Sequence, residues 1–252
     1  MRIDSHQHFT PELLPSLLAP ILKRNRFDAS VVVTKLKTVD DTRWLLSQAA
    51  EHDFIRGVVG WADLADPRVG RLLDEYQHHP KFRGVCYSCA GALPEGLREV
   101  ERRGLTLDLD PYLDCVPRIA ERFGGLRMAI DHLGRPSLAP MPFDDWAHAL
   151  EIAAQSPNVF GKLSGLITDA PTQWKAAEIH PYARHALAVL GPGRVMFGSD
   201  WPSYLPVGTW KEALAAFTQA IGAQTLETRE QLLGGTAQRF YDVEAGSNRL
   251  TR

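Results

Sequence analysis

Two histidines lie two residues apart near the beginning of the sequence, in the segment from Ile3 to His8. Side chains alternate between the two faces of a strand, so His6 and His8 are expected to point to the same side if this segment is a strand. Two imidazoles that converge on one point can bind a divalent metal ion. Such a pair is more often exposed or hydrogen-bonded, so the metal interpretation requires partners from elsewhere in the chain.

Candidate partners follow apolar runs further along the sequence. His132 and Asp200 each come directly after such a run, where a buried polar group is costly without a bonding partner or a task. Strand alternation counted from Met128 predicts that His132 points inward, and alternation counted from Met196 predicts the same of Asp200. Either residue alone could be a hydrogen-bonded core histidine or a helix cap. Together with the histidine pair they favour a functional site.

These residues need a scaffold that brings distant strand ends together. Eight predicted strands alternate with helical patterns and cover residues 1–9, 29–34, 55–61, 82–87, 105–109, 126–130, 158–162 and 194–200. Their number and order favour a (β/α)₈ barrel, an α/β fold formed as a single domain by residues 1–252. The alternative is a doubly wound open sheet, but no glycine-rich nucleotide loop follows the first strand. Pro181 is expected to divide the helical stretch 172–190.

Composition and charge argue against several classes of protein. The chain has 252 residues, 44% of them hydrophobic, and a formal net charge of −2. No basic stripe indicates a nucleic-acid partner, and no apolar run reaches the roughly 18 residues of a membrane span. A small-molecule partner is therefore expected, and a homo-oligomer remains possible. The polar first strand begins at once, leaving no room for a signal peptide, so we expect a cytoplasmic protein.

The three cysteines are Cys86, Cys89 and Cys115, an odd number that suits a reducing compartment. The first two form a C-x-x-C motif at the end of a predicted strand. A redox pair is expected at a helix start, and a zinc site would need a second pair. The cysteines are therefore interpreted as small, half-buried core residues.

In a (β/α)₈ barrel the chemistry lies at the carboxyl ends of the strands. The polar and aromatic residues along or just beyond these predicted strands are His6, His8, Lys35, Trp61, Asp63, Arg83, Asp108, His132, Lys162 and Asp200. The barrel would gather the strand-end residues among them into one site.

Several motifs resemble those of a known family. The sequence resembles the amidohydrolase superfamily in His6-Gln7-His8, Asp131-His132-Leu133-Gly134 and Phe197-Gly198-Ser199-Asp200-Trp201-Pro202. Segments 57–64, 82–85 and 161–166 resemble its lactonase-like branch, which includes sugar lactonases for fuconolactone and rhamnonolactone, and pyrone dicarboxylate lactonase. The resemblance covers nearly the whole chain.

This resemblance implies a hydrolase that opens a lactone of a sugar acid or a related dicarboxylate. Asp200 would activate the attacking water, and His132 would assist it or complete a metal shell. One divalent ion, Zn²⁺ or Mn²⁺, would be held by His6, His8 and Asp200. Metal dependence varies within the branch, so whether the ion is required stays open.

Cationic and aromatic side chains would then bind the substrate. Lys35, Arg83 and Lys162 suit a carboxylate or hydroxyl groups, and Trp61 and Trp201 suit apolar walls. The loop after the first strand is shorter than expected of the sugar lactonases, which leaves the substrate undetermined.

The sequence also departs from the two-metal members of the superfamily. Those usually bring a bridging lysine from the fourth strand and a histidine from the fifth, whereas the corresponding segments here are 83–86, Arg-Gly-Val-Cys, and 107–109, Leu-Asp-Leu. A binuclear site is therefore not expected. Two alternatives to the lactonase stay open: a metal-dependent decarboxylase of a small carboxylic acid, and a barrel that binds a ligand without catalysis.

Overall fold

The fold is a parallel barrel whose strands follow one another in chain order. The computed structural model describes residues 1–89, 91–110, 113–136, 142–168 and 176–244. Eight strands form one sheet in the order β1 to β8, and every neighbouring pair is parallel. The strands are β1 Ile3–Gln7, β2 Ala29–Val33, β3 Ile55–Gly60, β4 Phe82–Tyr87, β5 Thr106–Leu109, β6 Arg127–Ile130, β7 Val159–Leu163 and β8 Val195–Phe197. The (β/α)₈ barrel predicted from the sequence is confirmed.

Helices connect the strands and cover the outside of the barrel. They are α1 Pro15–Arg24, α2 Val39–Glu51, α3 Val69–Gln77, α4 Gly96–Arg102, α5 Val116–Arg122, α6 Phe143–Ala154, α7 Ala176–Leu190, α8 Trp210–Ile221, α9 Leu226–Glu230 and α10 Thr236–Phe240. Within the described ranges, no helix is long and apolar enough to cross a membrane.

The β-branched runs form strands because both of their faces are buried. On β2, Val31 and Val33 belong to the cluster inside the barrel, and Val32 packs outward with the helices. A strand that is covered on both faces has a continuous apolar sequence, as Val31, Val32 and Val33 do here.

Strands β1 and β8 close the barrel. The backbone N–H of Asp200 donates to the carbonyl of His6 at 2.8 Å, and the N–H of His8 donates to the carbonyl of Trp201 at 2.7 Å. These bonds place the histidine pair beside Asp200. We call residues 6–8 together with residues 198–201 the seam.

The carboxyl-terminal helix α10 covers the amino-terminal end of the barrel. Ala237 and Phe240 of α10, followed by Tyr241 and Val243, join the interior cluster. Helix α10 follows α9 after a π-helical turn.

Helix α7 differs from the prediction in one respect. Pro181 was expected to divide the stretch 172–190, but α7 runs unbroken from Ala176 to Leu190 with Pro181 inside it. The proline lies in the second turn of α7, where it removes one backbone N–H donor, and the helix continues past it. Residues 172–175 of the predicted stretch lie outside the described residues.

Candidate functional site

A cavity of about 300 Å³ opens at the carboxyl ends of the strands. Its wall carries imidazole, carboxylate and cationic groups from five separate parts of the chain. We call it the site cavity, and it is lined by His6, His8, Val33, Thr34, Lys35, Lys37, Cys86, Asp110, Asp131, His132, Arg135, Thr168, Asp200 and Ser203.

The two histidines of β1 converge as the alternation of the strand predicts. Their Nε2 atoms are 3.3 Å apart, and the rings meet edge to face. His8 Nδ1 lies 2.8 Å from the carbonyl oxygen of Val33 and can bond it only as a donor. With the ring hydrogen on Nδ1, the Nε2 of a neutral His8 ring carries the lone pair and can bind a metal ion.

Asp200 lies across the seam from this pair. Its backbone is in the left-handed region with φ of 63°, a conformation that is costly for a residue with a side chain. Thr168 Oγ1 donates to Oδ2 at 2.7 Å, and His8 Nε2 lies 3.6 Å from Oδ1. Burial alone would raise the pKa of Asp200, but the close imidazole of His8 and, after it, those of His132 and His6 outweigh burial and hold that pKa well below the usual range. Asp200 is therefore a carboxylate at neutral pH.

His132 reaches the site cavity by a route that strand alternation did not predict. Met128 and Ile130 of β6 face the outer helices, so the alternation argument is wrong for this strand. Instead the chain enters a tight turn in which His132 has φ of 52°, and this turns the ring towards His6, 4.6 Å away between centroids. Ser164 Oγ lies 2.9 Å from its Nδ1. Burial lowers the pKa of His132, which keeps the ring neutral.

A charged group lies directly beneath the histidines, inside the barrel. The Lys162 ammonium is completely buried, donates to Asp108 Oδ2, and lies 2.9 Å from Asp131 Oδ1. Tyr241 also donates to Asp108, at 2.9 Å from Oδ2. Burial would lower the pKa of Lys162, but the two carboxylates outweigh it and hold that pKa above the ordinary value.

Lys162 and its partners therefore form the floor of the site, and the substrate-binding role suggested for Lys162 gains no support from its position. A fully buried ammonium bonded to carboxylates is not presented to a ligand. The lysine instead contacts the site from below, since its Nζ lies 3.1 Å from His6 Nδ1.

His6 can exist as two tautomers, and each is favoured by a different neighbour. Lys162 can only donate, so when it bonds His6 Nδ1 the ring hydrogen lies on Nε2. Asp131 Oδ1 is 3.4 Å from the same Nδ1 and has no well-aligned hydrogen bond to any described group. That oxygen can accept a hydrogen from Nδ1, which would make Nε2 a metal ligand. Burial lowers the pKa of His6 to about 3, so the ring is neutral in either form.

The donor atoms fit one divalent metal ion. His6, His132 and Asp200 each offer an atom within 4.8 Å of the others. His8 Nε2 is close to two of them, at 3.3 Å from His6 Nε2 and 3.6 Å from Asp200 Oδ1. Neutral imidazoles and an ionised carboxylate, each held by a further polar group, are the ligand set of mononuclear zinc sites.

Besides Lys162, three further residues suggested as substrate-binding do not line the site cavity. Trp61 packs at the edge of the interior cluster, and Trp201 is buried against Phe9 with ring centroids 5.8 Å apart. Arg83 lies near the beginning of β4, and its Nη1 donates to the carbonyl of Pro80 at 2.7 Å. A predicted strand does not tell which end of it a long side chain will reach.

Other residues of the site were missed by the sequence reasoning. Lys37, Arg135, Thr168 and Ser203 line the site cavity together with the expected Lys35. Arg135 directly follows the Asp-His-Leu-Gly motif, and Lys37 follows Lys35 by two positions. These spacings were the available signals.

The site and its scaffold together define a barrel hydrolase. Comparison with known proteins gives the family. A family model described as Amidohydrolase matches residues 3–243. The chain belongs to the amidohydrolase family, and its relatives place it in the lactonase-like branch that the motifs predicted.

Relatives of known description align along almost the whole chain. It is 30% identical to L-fucono-1,5-lactonase from Burkholderia ambifaria over 281 residues, covering 98% of this chain and 97% of the relative. It is 30% identical to L-fucono-1,5-lactonase from Burkholderia multivorans over 287 residues, covering 96% of each chain. The crystal structure of an amidohydrolase from Burkholderia multivorans with bound zinc matches with a TM-score of 0.85 at 28% identity, covering 97% of this chain and all of that one.

Proposed function

We propose that this protein hydrolyses a lactone of a sugar acid or a related dicarboxylate, with Asp200 as the general base. The observation that carries the proposal is the buried Asp200 carboxylate, which is ionised and lies beside neutral imidazoles in a cavity of small-molecule size. The two curated relatives named above, both called L-fucono-1,5-lactonase, support the same reaction class.

Each residue of the site has a distinct role in the proposed ester hydrolysis. Water adds to the lactone carbonyl carbon, and Asp200 takes one of its protons. When the ring C–O bond breaks, this proton passes to the departing ring oxygen, which becomes the hydroxyl of the product. The hydrogen bond from Thr168 holds the carboxylate in place through both steps, with the His8 ring beside it.

A hydrogen-bond donor is also needed for the carbonyl oxygen, which becomes negative as water adds. His132 is suited to this role, because with Ser164 Oγ as donor to Nδ1 the ring hydrogen lies on Nε2. A neutral imidazole held in advance costs little reorganisation during the reaction.

A divalent ion is proposed as a second use of these residues, in which the ring hydrogen of His132 lies on Nδ1, facing Ser164 Oγ, and Nε2 is free to bind the ion. His6, His132 and Asp200 would hold it, with His8 in reach, and Zn²⁺ or Mn²⁺ suits these donors. When bound, the ion would polarise the carbonyl and lower the pKa of a bound water.

The test is hydrolysis of a lactone panel that begins with L-fucono-1,5-lactone and extends to lactones carrying carboxylates. Asp200→Asn should lower kcat by about 10²- to 10⁴-fold, the usual contribution of a general base, with an unchanged melting temperature. Asp40→Asn is the matched control, since the side chain of Asp40 is 94% exposed outside the cavity.

Two outcomes would contradict the proposal. One is the absence of turnover on the whole panel with and without added Zn²⁺ or Mn²⁺. The other is release of carbon dioxide from small carboxylic acids without lactone hydrolysis, which would favour a decarboxylase instead. An Asp200→Asn variant as active as the control would exclude Asp200 as the base.

A further inference from the structure

The acidic groups of the site cavity are already balanced by neighbours. Asp131 is paired with Lys162 at 2.9 Å, and Asp110 Oδ1 accepts from Arg135 Nε at 2.8 Å. Asp200 is bonded by Thr168 and faces imidazoles, as described above. None of these carboxylates is left to balance a further cation at the cavity mouth.

Two lysines at this mouth are not balanced. Lys35 is exposed, and Lys37 is half-buried with its ammonium donating to the neutral Ser88 Oγ at 2.7 Å. No carboxylate of a described residue forms an ion pair with either lysine. The hydroxyl of Ser88 orients the Lys37 ammonium and leaves its positive charge uncompensated beside the cavity.

Backbone conformation gives independent support. Lys37, His132, Arg135 and Asp200 all line the site cavity and all have φ between 52° and 63°. This left-handed region is unfavourable for residues with a side chain, and it persists where surrounding structure holds it for a purpose. Lys37 and Arg135 thus share their left-handed backbone conformation with the two proposed catalytic residues.

We infer that Lys37 binds a carboxylate on the lactone ring, so that the substrate is an anionic lactone and not a neutral sugar lactone. Lys35 and Arg135 add positive potential around the same group. The inference rests on the proposed function and narrows its substrate class. A cavity of about 300 Å³ suits one ring with small substituents, and a single carboxylate matches the one half-buried ammonium.

The experiment compares lactones that differ only in charge. The probes are γ-carboxy-γ-butyrolactone and its carboxamide, and the corresponding six-membered pair. The wild-type enzyme should have a kcat/KM at least tenfold higher for the carboxylates. Lys37→Met should raise KM for the carboxylates by roughly 10- to 100-fold, the value of a charge-assisted hydrogen bond, and should change kcat little. The KM for the carboxamides, which keep a carbonyl acceptor but carry no charge, should rise much less.

Two further variants separate charge from structure. Lys37→Arg keeps the positive charge and should restore most of the affinity. Lys23→Met, an exposed lysine in the last turn of α1 that does not line the cavity, should behave as wild type with every probe. Equal turnover of the carboxylates and carboxamides, with no response to Lys37→Met, would overturn the inference and leave the lactonase proposal intact.

A binding measurement distinguishes failure of this inference from failure of the proposed function. Cyclopentanecarboxylate carries the anionic group on a ring but cannot be hydrolysed, and calorimetry should show binding that Lys37→Met abolishes. Such binding together with no turnover of any lactone would overturn the lactonase and retain the carboxylate site. Absence of both would overturn both. A strong preference for a phosphorylated lactone over the carboxylates would overturn the carboxylate assignment.

Discussion

The ammonium group of Lys162 has no exposed surface. Two neighbouring carboxylates compensate for the cost of burying its charge inside the barrel. Asp108 and Asp131 both lie within ion-pair distance of it. Replacing Lys162 by methionine would leave both carboxyl groups buried without the cation. We expect the free energy of unfolding to fall by about 3–5 kcal/mol, measured by urea denaturation.

The loss should also depend on pH. Burial already raises the pKa of Asp108 to about 7 despite Lys162, so without the lysine this carboxyl would retain its proton to still higher pH. The folded variant would then bind more protons than the unfolded chain, and its stability should fall further as the pH rises. Lys23→Met is the control and should change stability by less than about 0.5 kcal/mol. A Lys162→Met variant as stable as this control would contradict the role given to the buried pair.

At the level of single residues, the sequence predicted the histidines and the aspartate that line the site cavity better than the buried residues beneath them. His6, His8 and Asp200 belong to short motifs at strand ends, and the predicted barrel was enough to bring these strand ends together. Lys162 was misjudged because a lysine at a strand end looks the same in sequence whether it faces a ligand or buried acids. Lys37 was missed because its left-handed backbone, which presents it to the cavity, is not encoded by a recognisable turn residue.

The seam between β1 and β8 leaves no room for a larger residue at Gly198. A Cβ at this position would lie 2.6 Å from the Cβ of His6 and 3.0 Å from the Cβ of Ser164. Gly198→Ala should therefore lower the free energy of unfolding by about 1–3 kcal/mol through overpacking. Because it pushes His6 aside, lactone turnover should fall by about 10²-fold, the effect of a displacement of roughly 1 Å.

Gly124→Ala is the matched control for this substitution. Gly124 lies in an exposed turn, and an added Cβ would approach nothing closer than 3.7 Å, at the carbonyl oxygen of Ala120. The control should keep full activity. Wild-type turnover by the seam variant would show that His6 needs no fixed position.

At the level of elements, mainly apolar runs predicted β2 to β8 because both faces of these strands are buried, and the alternation of side chains predicted β1. The predictions that were wrong concern single segments of the chain. The 3₁₀ turn that redirects His132 and the unbroken helix α7 depend on packing against distant parts of the chain, which periodicity does not report.

At the level of the whole molecule, the reactivity of the three buried thiols tests whether the barrel stays closed around them. Cys86, Cys89 and Cys115 are all buried, more so than the half-buried state expected from the sequence. Burial raises the pKa of the Cys86 thiol to about 12 and that of Cys115 also above its ordinary value. Because the thiolate is the reactive form, iodoacetamide should label none of them appreciably in the native protein at mildly alkaline pH.

Mass spectrometry provides the measurement, with the denatured protein as control. In guanidinium chloride all three cysteines should react. Selective labelling of Cys86 in the native protein would contradict its burial and would indicate that the site cavity opens towards the strands, since Cys86 lies in its wall.

The seam has a consequence for synthesis of the chain. Asp4 on β1 accepts a hydrogen bond from the backbone N–H of Ser199, which lies 195 positions later in the sequence. At about 5–20 residues per second, a ribosome needs on the order of 10–40 s to make that intervening stretch. Strand β1 therefore emerges early and waits without its partner. The histidines at its end become part of a working enzyme only after nearly every other strand has been made.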